Sequence, residues 1–225
     1  MKKLLAIALC AGIFTNAKSQ IYVQGGVNLA NISTSNSGST EKNNMLTTFN
    51  AGIMARSNST EQIALEAGLL LDGRGSKSES GSGDTYYKAT FNPLYLEVPV
   101  NLIIRLPLQN NKTSLFINAG PYIAMGIAGK SKVDGQLAGT HIHSSRDIDF
   151  TSADPTADDQ AYSKLKRFDY GANLGAGFDL GKILLKANYG LGFAKINSTQ
   201  TDNSSNDKNK YRTVSISAGI PLFRK

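Results

Sequence analysis

Cysteine occurs once in this chain, at Cys10, and histidine only twice, at His141 and His143. Cys10 lies in an apolar stretch near the N-terminus that is typical of an export signal, so the exported chain would contain no disulfide and no reactive thiol. After residue 19, no apolar run reaches the roughly 20 residues of a membrane-spanning helix. Lysine and arginine are scattered, without a basic helix or a stripe of basic and aromatic residues, which argues against a nucleic-acid partner.

The first 19 residues show the three regions of an export signal. Lys2 and Lys3 supply the initial positive charge, and Leu4–Phe14 form an apolar centre that is too short to span a bilayer. Ala17–Ser19 provides a cleavage site of the small-x-small type. We therefore predict a cleaved signal peptide at residues 1–19 and a single domain at residues 20–225. Cleavage removes three lysines and no acid, which lowers the formal net charge from +7 to +4.

The stretch Leu94–Arg105 alternates between two kinds of residue along its whole length. One set is entirely aliphatic and comprises Leu94, Leu96, Val98, Val100, Leu102 and Ile104. The other set includes Glu97, Asn101 and Arg105. A period of two places the sets on opposite faces of one β-strand. The length matches the roughly 9–11 residues of a tilted strand that crosses a bilayer.

Eight segments of the chain show this alternation. They are Ile21–Ile32, Leu46–Arg56, Ile63–Asp72, a segment from near Tyr87 to Arg105, Thr113–Ala128, Phe168–Leu180, Ile183–Ile196 and Lys210–Phe223. The connections between them alternate between long and short, beginning and ending with a long one. Transmembrane barrels combine an even number of antiparallel strands with long external loops and short periplasmic turns. The pattern therefore predicts an all-β, eight-stranded, antiparallel up-and-down barrel.

Two kinds of barrel fit this pattern, and they differ in which face points outward. A soluble, lipid-binding barrel would turn its apolar face inward around a ligand, whereas a membrane barrel turns that face toward lipid. The polar face is built mainly from glycine, asparagine, serine and alanine with a few charges. A solvated outer surface is normally richer in lysine and glutamate. We therefore expect a transmembrane barrel in the outer membrane, with the soluble exported barrel as an alternative.

Five short segments, in this order and spacing, resemble a family of small outer-membrane barrels that includes PorT-like proteins. They are Tyr95–Pro99 (YLEVP), Ala119–Tyr122 (AGPY), Phe168–Gly171 (FDYG), Leu174–Gly177 (LGAG) and Lys186–Gly190 (KANYG). The resemblance covers most of the exported chain and implies an eight-stranded outer-membrane barrel. Activities in that family are heterogeneous, and one branch is tied to protein secretion.

The polar face carries six charged residues that we expect to fill the lumen. They are Arg56, Glu66, Glu97, Arg105, Asp179 and Lys186. All except Glu97 fall near the short-turn end, where three cations face two anions. Glu97 lies several residues further along, and the sequence offers no evident partner for it. Eight strands enclose an interior just wide enough for side chains, so the sequence predicts a plugged barrel that does not conduct.

Pro99 and Pro121 fall inside neighbouring predicted strands. Proline has no amide hydrogen to donate to a ladder, and it is confined to sheet edges or bulges. Since a closed barrel has no edge, we expect a bulge or bend at these residues.

No residue pattern points to a metal, a cofactor or a catalytic site. His141 and His143 could present two imidazoles on one side of an extended segment near Asp147 and Asp149, but they lack a full set of zinc ligands. No predicted strand carries a histidine, so the barrel wall lacks the commonest general base. We therefore expect a protein that is not an enzyme.

The longest connection, Gly129–Arg167, is the expected external functional surface. Its few large apolar residues are Phe150, Tyr162 and Leu165, so the sequence predicts a mostly mobile segment. Connections of this length are usually functional or disordered. The expected function is that of a scaffold, or of an interaction module that binds a protein partner through its loops while outer-membrane lipid surrounds its wall. The alternative is a transport or secretion component of the PorT-like kind.

Overall fold

The computed structural model describes residues 19–36, 39–42, 45–83, 85–108, 113–137, 140–151, 164–194, 196 and 210–223. These residues form thirteen β-strands. In chain order they are β1 (Ser19–Asn36), β2 (Ser39–Lys42), β3 (Leu46–Asn58), β4 (Ile63–Gly73), β5 (Ser76–Ser82), β6 (Thr85–Pro107), β7 (Ser114–Leu137), β8 (Thr140–Asp147), β9 (Asp149–Thr151), β10 (Lys164–Lys166), β11 (Phe168–Asp179), β12 (Leu184–Gly192) and β13 (Lys210–Phe223).

Eight of these strands close into an antiparallel ring. Its order is β1, β3, β4, β6, β7, β11, β12 and β13, and β13 pairs back with β1. At the closure, Val23 of β1 faces Ile220 of β13 on one side and Ile53 of β3 on the other. The ring confirms the predicted eight-stranded barrel. It is uneven, because β7 has 24 residues and β12 only 9.

Most of the large aliphatic residues of the wall point outward, whereas most of its charged and amide residues point inward. Ile216 is 67% exposed, whereas the neighbouring Ser217 is 3% exposed. The soluble alternative, which required an inward apolar face, is therefore wrong. Within the described residues, no helix is long and apolar enough to cross a membrane.

The ladder between β6 and β7 is irregular at two places. Pro99 faces Tyr122 and Leu102 faces Ala119, but the two residues between them on each strand form no ladder pair. The register does not change across this gap. The shift in register lies instead between Leu94 and Tyr95, so the bulge predicted at the prolines is not found there, although the ladder lacks two pairs beside them.

Several predicted loops contain strands, which corrects the sequence interpretation. β5 lies in the connection between the predicted strand Ile63–Asp72 and the one that begins near Tyr87, and β7 runs to Leu137 instead of ending at Ala128. Conversely, β12 ends at Gly192 and does not reach Ile196. A four-stranded sheet, in the order β5, β6, β7 and β8, extends the wall at the end of the barrel where the long connections lie. Backbone pairing continues there among polar residues, where the hydrophobic alternation has stopped.

The chain that follows this sheet folds back over the barrel interior. β9 and β10 pair in parallel, and the amide of Gly126 in β7 donates to the carbonyl of Arg167 at 2.7 Å. Leu165 is buried, and Phe150 packs its ring edge against Tyr95 at a centroid distance of 5.6 Å. The described part of Gly129–Arg167 therefore contains strands and packs on the barrel, whereas the sequence predicted a mostly mobile segment. Tyr162 lies outside the described residues.

Two apolar clusters occupy the interior of the barrel. The one near the short turns contains Tyr22, Met54, Ala64, Leu70, Ile103, Phe116 and Leu184. The one near the long connections contains Ile32, Phe91, Tyr95, Tyr122, Ala124, Ile148, Leu165, Ile196 and Tyr211. Each cluster lies beside a group of buried charges.

Candidate functional site

Near the short turns, a single carboxylate is surrounded by donors from three other strands. Glu66 of β4 accepts hydrogen bonds from the Arg56 guanidinium of β3, with Nη2 at 2.7 Å and Nε at 3.0 Å. The Tyr22 hydroxyl of β1 donates to Glu66 at 2.6 Å, and the Lys186 ammonium of β12 lies 2.5 Å away. We call Tyr22, Arg56, Glu66 and Lys186 the inner cluster. Asp179 lies at its margin, 3.7 Å from Arg56 Nη1.

Aromatic rings complete the surroundings of the inner cluster. The guanidinium of Arg56 lies over the ring of Phe116, 4.8 Å from its centroid, in a cation–π arrangement. Phe116 fits there because Gly177 faces it, where an added Cβ would lie 2.5 Å from the ring. Arg56 and Glu66 have no exposed side-chain surface. The cluster thus replaces water around its charges with fixed donors and rings.

Near the long connections, the arrangement is inverted, with one guanidinium among three carboxylates. Arg74 Nε donates to Asp72 at 2.6 Å, and its Nη atoms donate to Asp169 and to Glu97. The Tyr122 hydroxyl donates to Asp169 at 2.9 Å. We call Asp72, Arg74, Glu97, Tyr122 and Asp169 the mouth cluster. If all its groups are ionised, it has a formal charge of −2.

Arg74 does not belong to a strand, although it follows the inward parity of β4. Its amide donates to the carbonyl of Pro93 at 2.9 Å, which fixes the chain just beyond the end of β4. Gly75 follows with a φ of +129°, a conformation that favours glycine and turns the chain toward β5. The Arg74 side chain therefore points into the lumen, where the guanidinium lies over the Tyr122 ring at 4.7 Å and over the Tyr95 ring at 5.1 Å.

Amide side chains lie between the two clusters. Asn28 donates to Asp72 at 2.7 Å, Asn50 donates to Asn28 at 2.6 Å, and Asn173 donates to Glu97 at 3.1 Å. A cavity of about 40 Å³ remains in this layer, lined by residues from both clusters and by Asn101. A cavity of this size has room for a few water molecules.

The structure brings together four of the six charges that the sequence placed in the lumen. Arg56, Glu66 and Lys186 lie in the inner cluster, with Asp179 at its margin. Arg105 makes no ion pair among the described residues and instead donates to the side chain of Asn58. This corrects the expectation of a single group of three cations and two anions.

Glu97 has the partner that the sequence did not reveal. That partner is Arg74, which lies in the Gly/Ser-rich connection after the predicted strand Ile63–Asp72. Asp72 and Asp169 fall within predicted strands but were not selected as lumen charges. The alternation of inward and outward residues could have identified Arg74. Arg74 is the next inward position after Leu70 and Asp72.

The histidines lie away from both clusters. His141 and His143 belong to β8, where both are exposed, and His143 Nδ1 contacts Asp134 of β7. Within the described residues, no group of three histidine, cysteine, aspartate or glutamate side chains could hold a metal ion.

The chain is similar to several solved structures and to one family model. No curated protein sequence matches it. Among solved structures, Ail from Yersinia pestis is 14% identical with a TM-score of 0.44, and the match covers 91% of this chain and 99% of Ail. Neisserial surface protein A is 12% identical with a TM-score of 0.41, covering 90% of this chain and 97% of that protein. OprG from Pseudomonas aeruginosa is 12% identical with a TM-score of 0.41, covering 91% and 94%.

The family model that matches is the outer membrane protein beta-barrel domain, over residues 14–198. It spans all of the ring except β13, which closes the barrel against β1. The closed eight-stranded ring and its outward apolar face agree with this match. The chain therefore belongs to the outer membrane protein beta-barrel domain family and is a protein of the outer membrane.

Proposed function

We propose that this protein is a non-conducting barrel that displays a β-sheet above the outer membrane as an interaction surface. The observation that carries this proposal is the sheet formed by β5, β6, β7 and β8, which extends past the end of β4. Within the described residues, the outer edges of β5 and β8 have no ladder partner. Free strand edges are sites at which a sheet accepts a strand from another chain.

The lumen is closed at two levels in this proposal. The inner cluster and the mouth cluster each join strands from opposite sides of the ring through buried side chains. Among the residues that the structure describes, a cavity of about 40 Å³ lies between them. We therefore assign the lumen charges Arg56, Glu66, Glu97, Asp179 and Lys186 a structural role. Arg105 has a local one, through its hydrogen bond to Asn58.

The proposal includes no catalysis. His141 and His143 are exposed on β8, outside the lumen. A role in secretion, which the PorT-like resemblance suggests, stays a prediction from the sequence.

Cysteine labelling tests the display of the sheet, because Cys10 lies in the predicted signal peptide. Ile142→Cys places a thiol on β8 at a side chain that is 53% exposed, and Glu61→Cys places one in the short turn between β3 and β4. A membrane-impermeant maleimide should label Ile142→Cys in intact cells and Glu61→Cys only after lysis. The reverse labelling would place the sheet in the periplasm and overturn the proposal.

Single-channel recording tests the closed lumen. Purified, folded protein in a planar bilayer should show no stable openings, because the interior is filled by side chains. Stable, ion-selective openings would instead support a transport function.

A further inference from the structure

A concave groove of about 570 Å³ lies where β6 and β7 continue past the ring. It faces away from the lumen, as the parity of β6 shows. Asn92 and Leu94 line the groove, and they alternate with the buried residues Phe91, Pro93 and Tyr95. The groove therefore opens on the same side as the lipid-facing surface of the barrel.

The lower part of the groove is apolar. Phe49 on the β3 side is 49% exposed, and Ile127 on β7 is 44% exposed. Leu94 lies between them on β6. Ile127 is the extra residue at the register shift of β7, since Leu94 faces Ala128 and Tyr95 faces Gly126. These side chains continue the outward apolar band of the wall to its upper end.

The upper part of the groove carries hydrogen-bond donors. Cross-strand partners share a face of a sheet, so Lys132 lies in one row with Thr90 and Ser145. The row below, which is about 7 Å closer to the apolar part, contains Asn92, Lys130 and Asp147.

The two lysines leave an excess of positive charge on this surface. Asp147 can offset Lys130 across the strand pair, whereas Lys132 has hydroxyl-bearing neighbours on both sides. Among the described residues, neither lysine forms an ion pair with a carboxylate. Lys88, one row higher, differs in this respect because it lies 3.3 Å from Glu79. Hydrogen bonding to Lys88, together with the nearby charge of Lys77, lowers the pKa of Glu79.

We propose that this groove binds an anionic phospholipid of the surrounding membrane. The phosphate would contact Lys130 and Lys132, and an acyl chain would lie along Leu94 and Ile127. A ligand must combine an anionic head with a directly attached apolar chain to match both parts of the groove. Ammonium and hydroxyl groups suit the phosphate oxygens, and the apolar part already faces lipid. The inference depends on the membrane location of the barrel and not on the display function.

The lysine part of the site is tested by native mass spectrometry of protein released from nanodiscs of phosphatidylcholine that contain phosphatidylglycerol. The wild-type protein should retain phosphatidylglycerol preferentially. The double variant Lys130→Gln/Lys132→Gln should lose roughly tenfold or more of that preference, since each lysine near a membrane surface contributes on the order of 1 kcal/mol. Lys88→Gln is the matched control on the same sheet face, and it should retain the lipid. Equal retention by the double variant and the wild type would overturn the proposal.

The apolar part separates a lipid site from a bare anion site. Ile127→Ser should weaken retention of phosphatidylglycerol by a few-fold, while the protein remains folded because this side chain is exposed. Inorganic phosphate alone should compete poorly. Efficient displacement by inorganic phosphate, combined with unchanged retention in Ile127→Ser, would show that the groove recognises a free anion and not a lipid. Neither outcome bears on cysteine labelling or conductance, which test the display function.

Discussion

The inner cluster and the mouth cluster both hold charged side chains inside a narrow barrel, but the sign of the central charge is opposite in the two. The inner cluster has an anion, Glu66, at its centre and cations around it, and all its members lie on wall strands. The mouth cluster has a cation, Arg74, at its centre and three anions around it. Its centre lies in a connection between strands.

The two clusters also differ in charge balance. The inner cluster is neutral once Asp179 is included, whereas the mouth cluster has two more carboxylates than guanidiniums. An excess of buried charge is tolerable only where water or additional donors can reach it. The mouth cluster has both, since Asn28 and Asn173 donate to its carboxylates and a cavity adjoins it. This comparison indicates that the inner cluster contributes mainly to stability and the mouth cluster mainly to closure.

Removal of the central anion should have the largest effect. Glu66→Gln leaves Arg56 and Lys186 as cations without a carboxylate at their centre, and their side chains are only 0% and 4% exposed. We expect the free energy of unfolding to fall by about 3–5 kcal/mol, the usual result of breaking a buried ion pair. Denaturant titration of protein folded into lipid vesicles measures it. A loss below about 1 kcal/mol would contradict the central role of Glu66.

Removal of the central cation should destabilise less but open the mouth. Arg74→Gln leaves three carboxylates that repel one another, and hydration from the adjoining cavity should limit the loss to about 2–3 kcal/mol. Since like charges move apart, Arg74→Gln should open the mouth, but stable openings in planar bilayers should appear only in the double variant Glu66→Gln/Arg74→Gln, which removes both closures. Each single variant keeps the other cluster and is the control that should stay closed. Openings in Glu66→Gln alone would show that the mouth cluster does not close the lumen.

Deletion of one hydroxyl in each cluster allows the two clusters to be compared, and the expected losses in unfolding free energy are smaller. Tyr22→Phe removes a 2.6 Å donor to Glu66, and Tyr122→Phe removes a 2.9 Å donor to Asp169. Hydrogen bonds to charged groups contribute about 1.5–3 kcal/mol. We expect Tyr22→Phe to lie in that range and Tyr122→Phe to lie below it, because Tyr122 lines the interior cavity, where water can replace its hydroxyl. Equal losses in the same denaturant titration would show that the clusters are equivalent in stability.

Arg105→Gln should have the smallest effect. Arg105 is only half-buried and donates to a neutral amide of Asn58. We expect the unfolding free energy to fall by about 1 kcal/mol or less, as when one hydrogen bond to a neutral group is lost. Arg56→Gln is the control of the same chemistry, and its loss should be several times larger. Similar losses in the two variants would mean that Arg105 pairs with an acid of the inner cluster in the membrane.

Strand periodicity was sufficient to find the wall and the inner cluster. Arg56, Glu66 and Lys186 each lie within an alternating segment, so parity alone placed them on the inward face. Because these residues lie near the same end of their strands, they could be expected to contact one another across a narrow lumen. The outward apolar face followed from the composition of the two faces, and exposures such as that of Ile216 confirm it.

Sequence reasoning failed where pairing continues without hydrophobic alternation. β5 and β8 are built from polar residues, and they are held by hydrogen bonds to β6 and β7 instead of by a buried face. Arg74 was missed for a related reason. It stands between Gly73 and Gly75 in a Gly/Ser-rich segment, where composition predicts a loop although the inward parity persists. Predictions about residues outside the described ranges, such as Tyr162, stay untested.

The closure of β1 on β13 has a consequence for how the barrel assembles. The other ring pairs join wall strands that are consecutive along the chain, and hairpins of this kind can form early. The first and last strands must find each other across almost the whole sequence, so a nearly complete sheet with two open edges should precede the ring. Glu66 and Lys186 are 120 residues apart, and Tyr22 and Lys186 are 164 apart. Their contacts cross between the early and late halves of the sheet. The inner cluster should therefore form only after the two edges have joined, and it would then stabilise the closed ring.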